Sequence, residues 1–337
     1  MIETTLKTVE SGDDLSMQRM SEVIGLIMQG RCEEDDIARL LVALHEKGET
    51  VAEVAGAAQA MRRHMTPIRT ARTGLIDTCG TGGDGSKTFN ISTAAALVTA
   101  AAGVPVAKHG NRGITSRSGS ADALAALGVN VDAGVARVEA CLDELGICFC
   151  FAPLLHQAMR HVGPVRKKLG HPTIFNMLGP LVNPAGAPFQ LLGVGRPQLR
   201  PVLAEALSML GTRRTLVVHG NDGLDEVTLA DSTHVTEATG EGLREFEWTP
   251  ADFGLQQTGL ESMLIEGPDD SARIIREVLD GQTGPGRDIV VANAAAALWT
   301  VGRDASLEKC AKQAAAAIDD GAARELLARL AERSWAK

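Results

Sequence analysis

The chain has 337 residues, with 33 Lys and Arg against 42 Asp and Glu, and its formal net charge is −9. That length allows one large domain or two ordinary ones, each with a full core. Net acidity and a low aromatic content, with seven Phe, three Trp and no Tyr, argue against a nucleic-acid partner, because such partners select basic grooves with stacking aromatic side chains.

Neither a membrane span nor a secretion signal is predicted. The longest apolar stretch, 91–107, is interrupted by Ser, Thr, Gly and Pro, whereas a span needs about 20 mainly apolar residues. The first residues lack a basic region followed by an apolar run. The six cysteines form no CxxC pair and are expected to be reduced core thiols. We therefore expect a cytoplasmic protein with no membrane partner.

The first 72 residues are predicted to form a small helical unit. Ser16 is expected to cap a helix that ends at Gly30, and 33–47 has apolar residues at the spacing of an amphipathic helix. Thr50 begins a capping box ahead of a third helix over 51–64.

After Pro67 the pattern changes to short apolar runs that alternate with glycine-rich turns and alanine-rich segments. Buried strands are predicted at 75–79, 104–107, 147–151 and 215–219. Helices are predicted at 92–102, 120–127, 154–161, 288–299 and 306–330. Strands separated by helices form βαβ units, so a largely parallel sheet covered by helices is expected.

A glycine-rich stretch, 77–93, follows the first of these strands and enters a helix. Backbone N–H groups of such a turn can approach a phosphate, and the helix N-terminus adds partial positive charge. The stretch contains GxGxxG, but no acidic residue lies between Asp84 and Asp122 to hold a ribose, and Ser86 separates the last glycine from Lys87. A dinucleotide site and a P-loop are therefore both disfavoured.

The acid-free stretch carries basic residues instead: Lys87, Lys108, His109, Arg112 and Arg117. In an acidic protein, such a cluster beside glycine loops suits a substrate with several phosphates, because the cations offset its charge while backbone amides position it. A solvated basic face is the alternative.

A third element, 217–226, is a strand that ends in a turn presenting Asp225 and Glu226. Adjacent carboxylates suit magnesium, which takes one or two of them and is completed by water and substrate phosphates. An acidic surface turn is the alternative.

Seven short motifs follow one another along the chain: CGTGGD at 79–84, NIST at 90–93, KHGNR at 108–112, GSAD at 119–122, HVGPVR at 161–166, FNMLGP at 175–180 and GLDE at 223–226. In this order they resemble the anthranilate phosphoribosyltransferase family. The resemblance covers essentially the whole chain and includes LHEKGET at 44–50 in the helical unit.

The resemblance implies transfer of the phosphoribosyl group of phosphoribosyl pyrophosphate to the amine of anthranilate, a step of tryptophan biosynthesis that releases pyrophosphate. It implies an α/β fold, in which a small all-helical N-terminal domain (1–72, with a further helical contribution near 164–184) is joined by hinge segments to a larger α/β domain. That larger domain (73–337) would bind phosphoribosyl pyrophosphate and have a mainly parallel central sheet flanked by helices. A homodimer through the helical domain and two Mg²⁺ ions per active site are also implied.

Site residues follow from the same resemblance. Those for phosphoribosyl pyrophosphate are Gly80, Gly83, Asp84, Thr88, Asn90, Ile91, Ser92, Thr93, Lys108, His109, Gly110, Asn111, Arg112, Gly113, Ile114, Thr115, Ser116 and Ser120. Those for anthranilate are Gly80, Asn111, Arg166, His109, His156 and Pro180. Magnesium would be held by Ser92, Asp225 and Glu226. The catalytic residues would be Lys108, Asp225 and Glu226, because the departing pyrophosphate carries negative charge.

One segment departs from the family pattern. Many members have Arg directly before Thr-Ile-Phe-Asn, where this chain has Pro172 after His171. The departure concerns the outer approach of anthranilate and not the phosphate site.

Two alternatives share the architecture. A pyrimidine nucleoside phosphorylase typically continues its glycine loop into Val-Gly-Asp-Lys, whereas this chain has Asp-Gly-Ser-Lys at 84–87. A nucleic-acid-binding relative would be expected to carry a basic surface, which the net charge of −9 opposes.

Overall fold

The computed structural model describes residues 2–113 and 116–336. The first 64 residues form the helices α1 (Ile2–Glu10), α2 (Met17–Met28), α3 (Glu34–Lys47) and α4 (Val51–His64). The predicted caps are confirmed, since Ser16 accepts a hydrogen bond from the N–H of Arg19 and the capping box of Thr50 is complete. The sequence had not predicted α1.

A seven-stranded sheet follows. Its strands are β1 (Ile76–Gly80), β2 (Val106–Gly110), β3 (Ile147–Phe151), β4 (Phe189–Gly193), β5 (Arg214–Gly220), β6 (Thr233–Thr239) and β7 (Gly242–Trp248). Their order in the sheet is β3-β2-β1-β4-β5-β6-β7. The first five are parallel, and β6 and β7 add an antiparallel hairpin at one edge. The expected α/β class with a mainly parallel sheet is confirmed.

Eleven further helices connect or cover these strands within the described residues: α5 (Ile91–Ala101), α6 (Ser120–Ala126), α7 (Val135–Leu145), α8 (Ala152–Leu155), α9 (Gly163–Leu169), α10 (Phe175–Leu178), α11 (Leu199–Met209), α12 (Pro268–Leu279), α13 (Pro285–Thr300), α14 (Leu307–Asp319) and α15 (Ala322–Trp335). None of the helices in this part of the chain is both long and apolar enough to cross a membrane.

Two predicted helices are wrong in extent. The helix predicted over 154–161 is interrupted at His156, which has φ −112° and ψ 53°, so α8 ends there and a short 3₁₀ turn follows. The helix predicted over 306–330 is divided by Gly321, whose φ of +78° is left-handed. Such a conformation ends an α-helix, and α14 and α15 are therefore separate.

Alternating side chains of the sheet belong to two hydrophobic cores. Leu191 and Leu192 are neighbours in β4, but Leu191 packs in the core beneath α5 and α13, whereas Leu192 packs in the core shared with the N-terminal helices and α11. This follows from the two-residue period of a strand. Both faces of the sheet are therefore covered by helices.

The order of the strands reverses at β1, and this reversal opens a crevice at the carboxyl edge of the sheet. It continues from β1 through β2 to β3 on one side and then returns to place β4 on the other side. In open α/β sheets, ligands bind outside the carboxyl ends of strands at such a reversal. Gly80 and Gly193 are paired at these two ends.

Candidate active site

The acidic turn lies directly against the two glycines that end β1 and β4. A Cβ atom on Gly80 would lie 2.8 Å from Oδ2 of Asp225, and one on Gly193 would lie 1.6 Å from the backbone oxygen of Asp225. The Gly82 N–H donates to Asp225 Oδ2 at 3.0 Å. Glycine is therefore required at the end of β4, where the backbone of the turn approaches, whereas the atom closest to Gly80 is the end of the Asp225 side chain.

Three carboxylates meet in this crevice. Burial raises the pKa of Asp225 well above its usual range, and the nearby charges of Asp84 and Glu226 raise it further. Burial likewise raises the pKa of Glu226 to about 7, although Lys108 opposes the shift. Oδ2 of Asp84 is buried without a hydrogen-bond partner. This donor set favours a bound cation, because an added positive charge would offset the repulsion among the carboxylates.

The N-terminus of α5 faces the same carboxylates. The Ser92 N–H donates to Glu226 Oε1 at 3.0 Å, and an anion is stabilised at this end of a helix. Lys108, buried on β2, donates through Nζ to the carbonyl of Thr78 and to Ser92 Oγ, the latter at 3.3 Å. The structure therefore brings the predicted metal-binding side chains and Lys108 together around Ser92.

An unpredicted carboxylate lies beneath Lys108. Asp77 is fully buried, and its Oδ1 accepts from the His109 N–H at 3.0 Å. Burial raises the pKa of Asp77 and lowers that of Lys108, while each charge favours the ionised form of the other. Asp77 is a charged residue inside a strand that the sequence predicts to be buried, and this was the signal that could have identified it.

The second glycine loop is the segment between β2 and α6, of which 111–113 and 116–119 are described. It contacts the start of α6. Oδ2 of Asp122 accepts from the N–H groups of Gly113 at 2.8 Å and Gly119 at 3.0 Å. A Cβ on Gly110 would lie 2.1 Å from Ser120 Oγ. Ile114 and Thr115, predicted to contact phosphoribosyl pyrophosphate, lie outside the described residues.

The basic cluster is only partly directed into the crevice. Lys108 and His109 are buried, which excludes a simple solvated face for these two residues. Arg112 instead pairs with Asp122 at 3.2 Å, and Arg117 pairs with Glu266. The exposed Lys87 has a left-handed φ of 60°.

Three of the residues predicted for the aromatic substrate, His109, His156 and Pro180, lie near one another. His109 Nδ1 is 3.1 Å from the carbonyl oxygen of Gly179, and the Nε2 atoms of His109 and His156 are 3.1 Å apart. Because a carbonyl only accepts, His109 carries its proton on Nδ1 and accepts from His156 at Nε2. Pro180 is buried directly after Gly179.

Arg166 lies on α9 and is held from two sides. Its Nη2 donates to Asn176 Oδ1 at 3.2 Å, and its guanidinium carbon is 5.7 Å from the centre of the Phe175 ring. Burial lowers the pKa of Arg166. Where the chain departs from the family pattern, His171 stacks on His45 of α3 at 5.0 Å and Pro172 is exposed.

Two family models match this chain. The helical bundle domain of the glycosyl transferase family matches residues 3–65, and the α/β domain of that family matches residues 72–324. The fold and the crevice site therefore define a glycosyl transferase with a helical bundle and an α/β domain.

Relatives and solved structures narrow the class. Anthranilate phosphoribosyltransferase of Rhodospirillum rubrum is 51% identical, with 98% of this chain and 94% of the relative covered, and that of Rhodopirellula baltica is 50% identical, with 95% and 94% covered. The crystal structure of the Thermus thermophilus enzyme matches with a TM-score of 0.92 and 44% identity over 98% of this chain and 99% of that one. This chain belongs to the anthranilate phosphoribosyltransferase family.

Proposed function

We propose that this protein transfers the phosphoribosyl group of phosphoribosyl pyrophosphate to the amine of anthranilate, releasing pyrophosphate. The observation that carries the proposal is where four features meet, at the carboxyl ends of β1 and β4. They are the first glycine loop, which is the segment 81–90 between β1 and α5, the N-terminus of α5, Lys108 and the acidic turn. A substrate with three phosphate groups needs this combination of backbone N–H groups and cations.

Magnesium would be held by Ser92, Asp225 and Glu226. The crowded carboxylates and the unpartnered oxygen of Asp84 support this assignment, as does a Saccharomyces cerevisiae relative solved with phosphoribosyl pyrophosphate and Mg, which is 29% identical with a TM-score of 0.89 over 99% of this chain and 97% of that one. Asp84, Asp225 and Glu226 repel one another, but within the described residues they do not form a three-residue metal-binding group, so substrate phosphates and water would complete the coordination of magnesium. Bound magnesium would offset the negative charge of the leaving pyrophosphate. We propose two Mg²⁺ ions per site, and calorimetric titration with Mg²⁺ would measure that number.

The backbone and side chains of both glycine loops would bind phosphoribosyl pyrophosphate. The residues proposed are Gly80, Gly83, Asp84, Thr88, Asn90 to Thr93, Lys108 to Ser116 and Ser120. Lys108 would stabilise the departing negative charge from a fixed position, because its Nζ is already held by Thr78 and Ser92.

Anthranilate would lie near Gly80, His109, Asn111, His156, Arg166 and Pro180. A relative from Saccharomyces cerevisiae has been solved with 4-fluoroanthranilate, which supports an aromatic subsite. The amine of anthranilate is neutral and nucleophilic at pH 7, so these residues would mainly orient it against C1 of the ribose. We also propose a homodimer through the helical domain and a cytoplasmic location, in keeping with six free thiols.

The assay follows the loss of anthranilate fluorescence with phosphoribosyl pyrophosphate and Mg²⁺. Asp225→Asn combined with Glu226→Gln is expected to abolish turnover while the folded structure, followed by circular dichroism, is kept, because both residues lie on a turn and their charges already repel in the metal-free protein.

The matched control is Glu33→Gln with Asp35→Asn. It removes the same charge at two exposed positions near the start of α3 and should leave turnover unchanged. Near-normal turnover of the Asp225 and Glu226 variant in excess chelator would contradict the metal assignment.

A further inference from the structure

A segment far along the chain contacts the first glycine loop through its backbone. This anchor segment, 263–271, begins with three residues that pair antiparallel with 87–89 and ends in the first turn of α12. The Phe89 N–H donates to the Met263 carbonyl at 2.9 Å, and the Ile265 N–H donates to the Lys87 carbonyl at 3.0 Å. The loop is therefore held by an antiparallel bridge between Thr88 and Leu264.

The same segment also holds the second glycine loop. Arg117 Nη1 donates to the Ile265 carbonyl at 2.7 Å, and the guanidinium forms an ion pair with Glu266. Arg117 is thus engaged by the anchor segment, although the sequence had placed it in the basic cluster for phosphates.

The two loops and the anchor segment meet at Asn90. Ser271 Oγ donates to Asn90 Oδ1 at 2.8 Å and accepts from the Asn90 N–H at 3.0 Å. From the second loop, Ser118 Oγ donates to the same Oδ1 at 2.7 Å, and Asn90 Nδ2 donates to the Ser118 carbonyl at 3.1 Å. Ser271 is fully buried and Ser118 is buried, so water has limited access to these bonds.

We infer that Ser271 is a positioning residue for phosphoribosyl pyrophosphate, which acts through Asn90 and sets the spacing of the two glycine loops. The inference rests on the proposed function, because Asn90 is one of the residues proposed to hold that substrate. Two of the four bonds that join Asn90 to Ser118 and Ser271 come from Ser271, one to the backbone N–H at the start of α5 and one to the side-chain amide. The Asn90 side-chain amide has two N–H donors, and its bond to Ser118 uses one of them. The other N–H remains for the substrate.

The test is Ser271→Ala, with steady-state kinetics for both substrates. Loss of a neutral hydrogen bond corresponds to a change of about 2- to 12-fold, so the KM for phosphoribosyl pyrophosphate should rise by that factor. The KM for anthranilate should stay within about twofold, because the predicted anthranilate residues do not contact Ser271.

Ser334→Ala is the matched control. Ser334 is a buried helical serine that accepts from the Asn130 N–H at 2.8 Å and donates to the Ala331 carbonyl at 2.7 Å. It should show a similar fall in melting temperature with both KM values unchanged. This comparison separates positioning from a general loss of stability.

A double-mutant cycle tests the route through Asn90. In an Asn90→Ala background, Ser271→Ala should raise the KM for phosphoribosyl pyrophosphate no further, since interacting residues are not additive. If Ser271→Ala does not fold, Ser118→Ala removes the other donor to Asn90 Oδ1 and should give the same selective rise.

The inference is overturned if wild-type turnover is normal but Ser271→Ala leaves the KM for phosphoribosyl pyrophosphate unchanged, raises both KM values equally, or is fully additive with Asn90→Ala. Absence of turnover in the wild-type protein would instead refute the proposed function.

Discussion

At the scale of single residues, Arg166 is the residue that we propose to bind the carboxylate of anthranilate. Asn176 and Phe175 hold its guanidinium in one orientation, and the planar fork has further N–H groups for two parallel bonds. We expect Arg166→Ala to lower kcat/KM for anthranilate by about 10- to 150-fold, the equivalent of a charged hydrogen bond.

The KM for phosphoribosyl pyrophosphate should stay nearly unchanged in this variant. Arg166→Lys keeps the charge but not the fork, and it should recover only part of the loss. Equal losses for both substrates would show that Arg166 serves the whole site and does not select the aromatic acid.

The histidine pair makes stability depend on pH. Burial lowers the pKa of His109 to about 3, with His156 adding to the shift, and burial lowers that of His156 to about 4. An unfolded histidine titrates near 6.5, so the unfolded chain binds protons that the folded protein excludes. The free energy of unfolding is therefore not reduced by these histidines above about pH 6.5. Below that pH it falls by about 1.4 kcal/mol per pH unit for each histidine, towards pH 4.

Urea unfolding of His156→Gln between about pH 7 and pH 5 checks this expectation. The Gln amide can still donate to His109 Nε2, but it does not titrate. The free energy of unfolding should therefore fall less steeply with acid than in the wild-type protein, by about 1.4 kcal/mol per pH unit. Parallel pH profiles would show that folding does not lower the pKa of His156.

At the scale of elements, the end of β4 depends on the acidic turn. Because a Cβ on Gly193 would lie 1.6 Å from the backbone oxygen of Asp225, Gly193→Ala requires the turn to move. We expect a loss of about 1–3 kcal/mol in unfolding free energy, typical of overpacking, together with a large fall in Mg²⁺-dependent turnover.

Gly240→Ala is the comparison, since no atom lies within 4 Å of its Cβ position and its φ is not left-handed. Its unfolding free energy should change by less than about 0.5 kcal/mol. If Gly193→Ala were equally mild, the crevice could not be as tightly closed as the structure has it.

Sequence periodicity predicted the elements whose patterns are local. The helix starts at Ser16 and Thr50 were correct because capping depends on neighbouring residues. The strands β4, β6 and β7 were missed, and β2 begins at Val106, two residues later than predicted. The pairing of β6 with β5, for example, is decided by a partner strand and not by its own polar residues.

At the scale of the whole molecule, the helical unit buries its apolar side within the same chain. Leu40 of α3 and Val54 of α4 belong to one core with Leu203 of α11 and Val217 of β5. The apolar side of this small unit is therefore covered within one chain and does not by itself require a second chain. The homodimer rests on the family resemblance.

Sedimentation measures the assembly directly. At micromolar concentration, about the range in which stable oligomers persist, we expect a species of twice the 35.4 kDa chain mass. A boundary at the mass of a single chain would exclude the homodimer and would leave the catalytic proposal untouched.

The sequence alone determined the class of fold, the two glycine loops and the acidic turn. The alternation of strands and helices, and the residue types of a phosphate site, are visible in short stretches of sequence. Family membership followed from the order of the motifs. The roles of Asp77, Ser271 and Arg117 were decided by tertiary structure. Each acts on a partner that is distant in sequence, Ser271 on Asn90 for example. A contact between segments that are distant in sequence is fixed by how the elements pack and not by any local pattern.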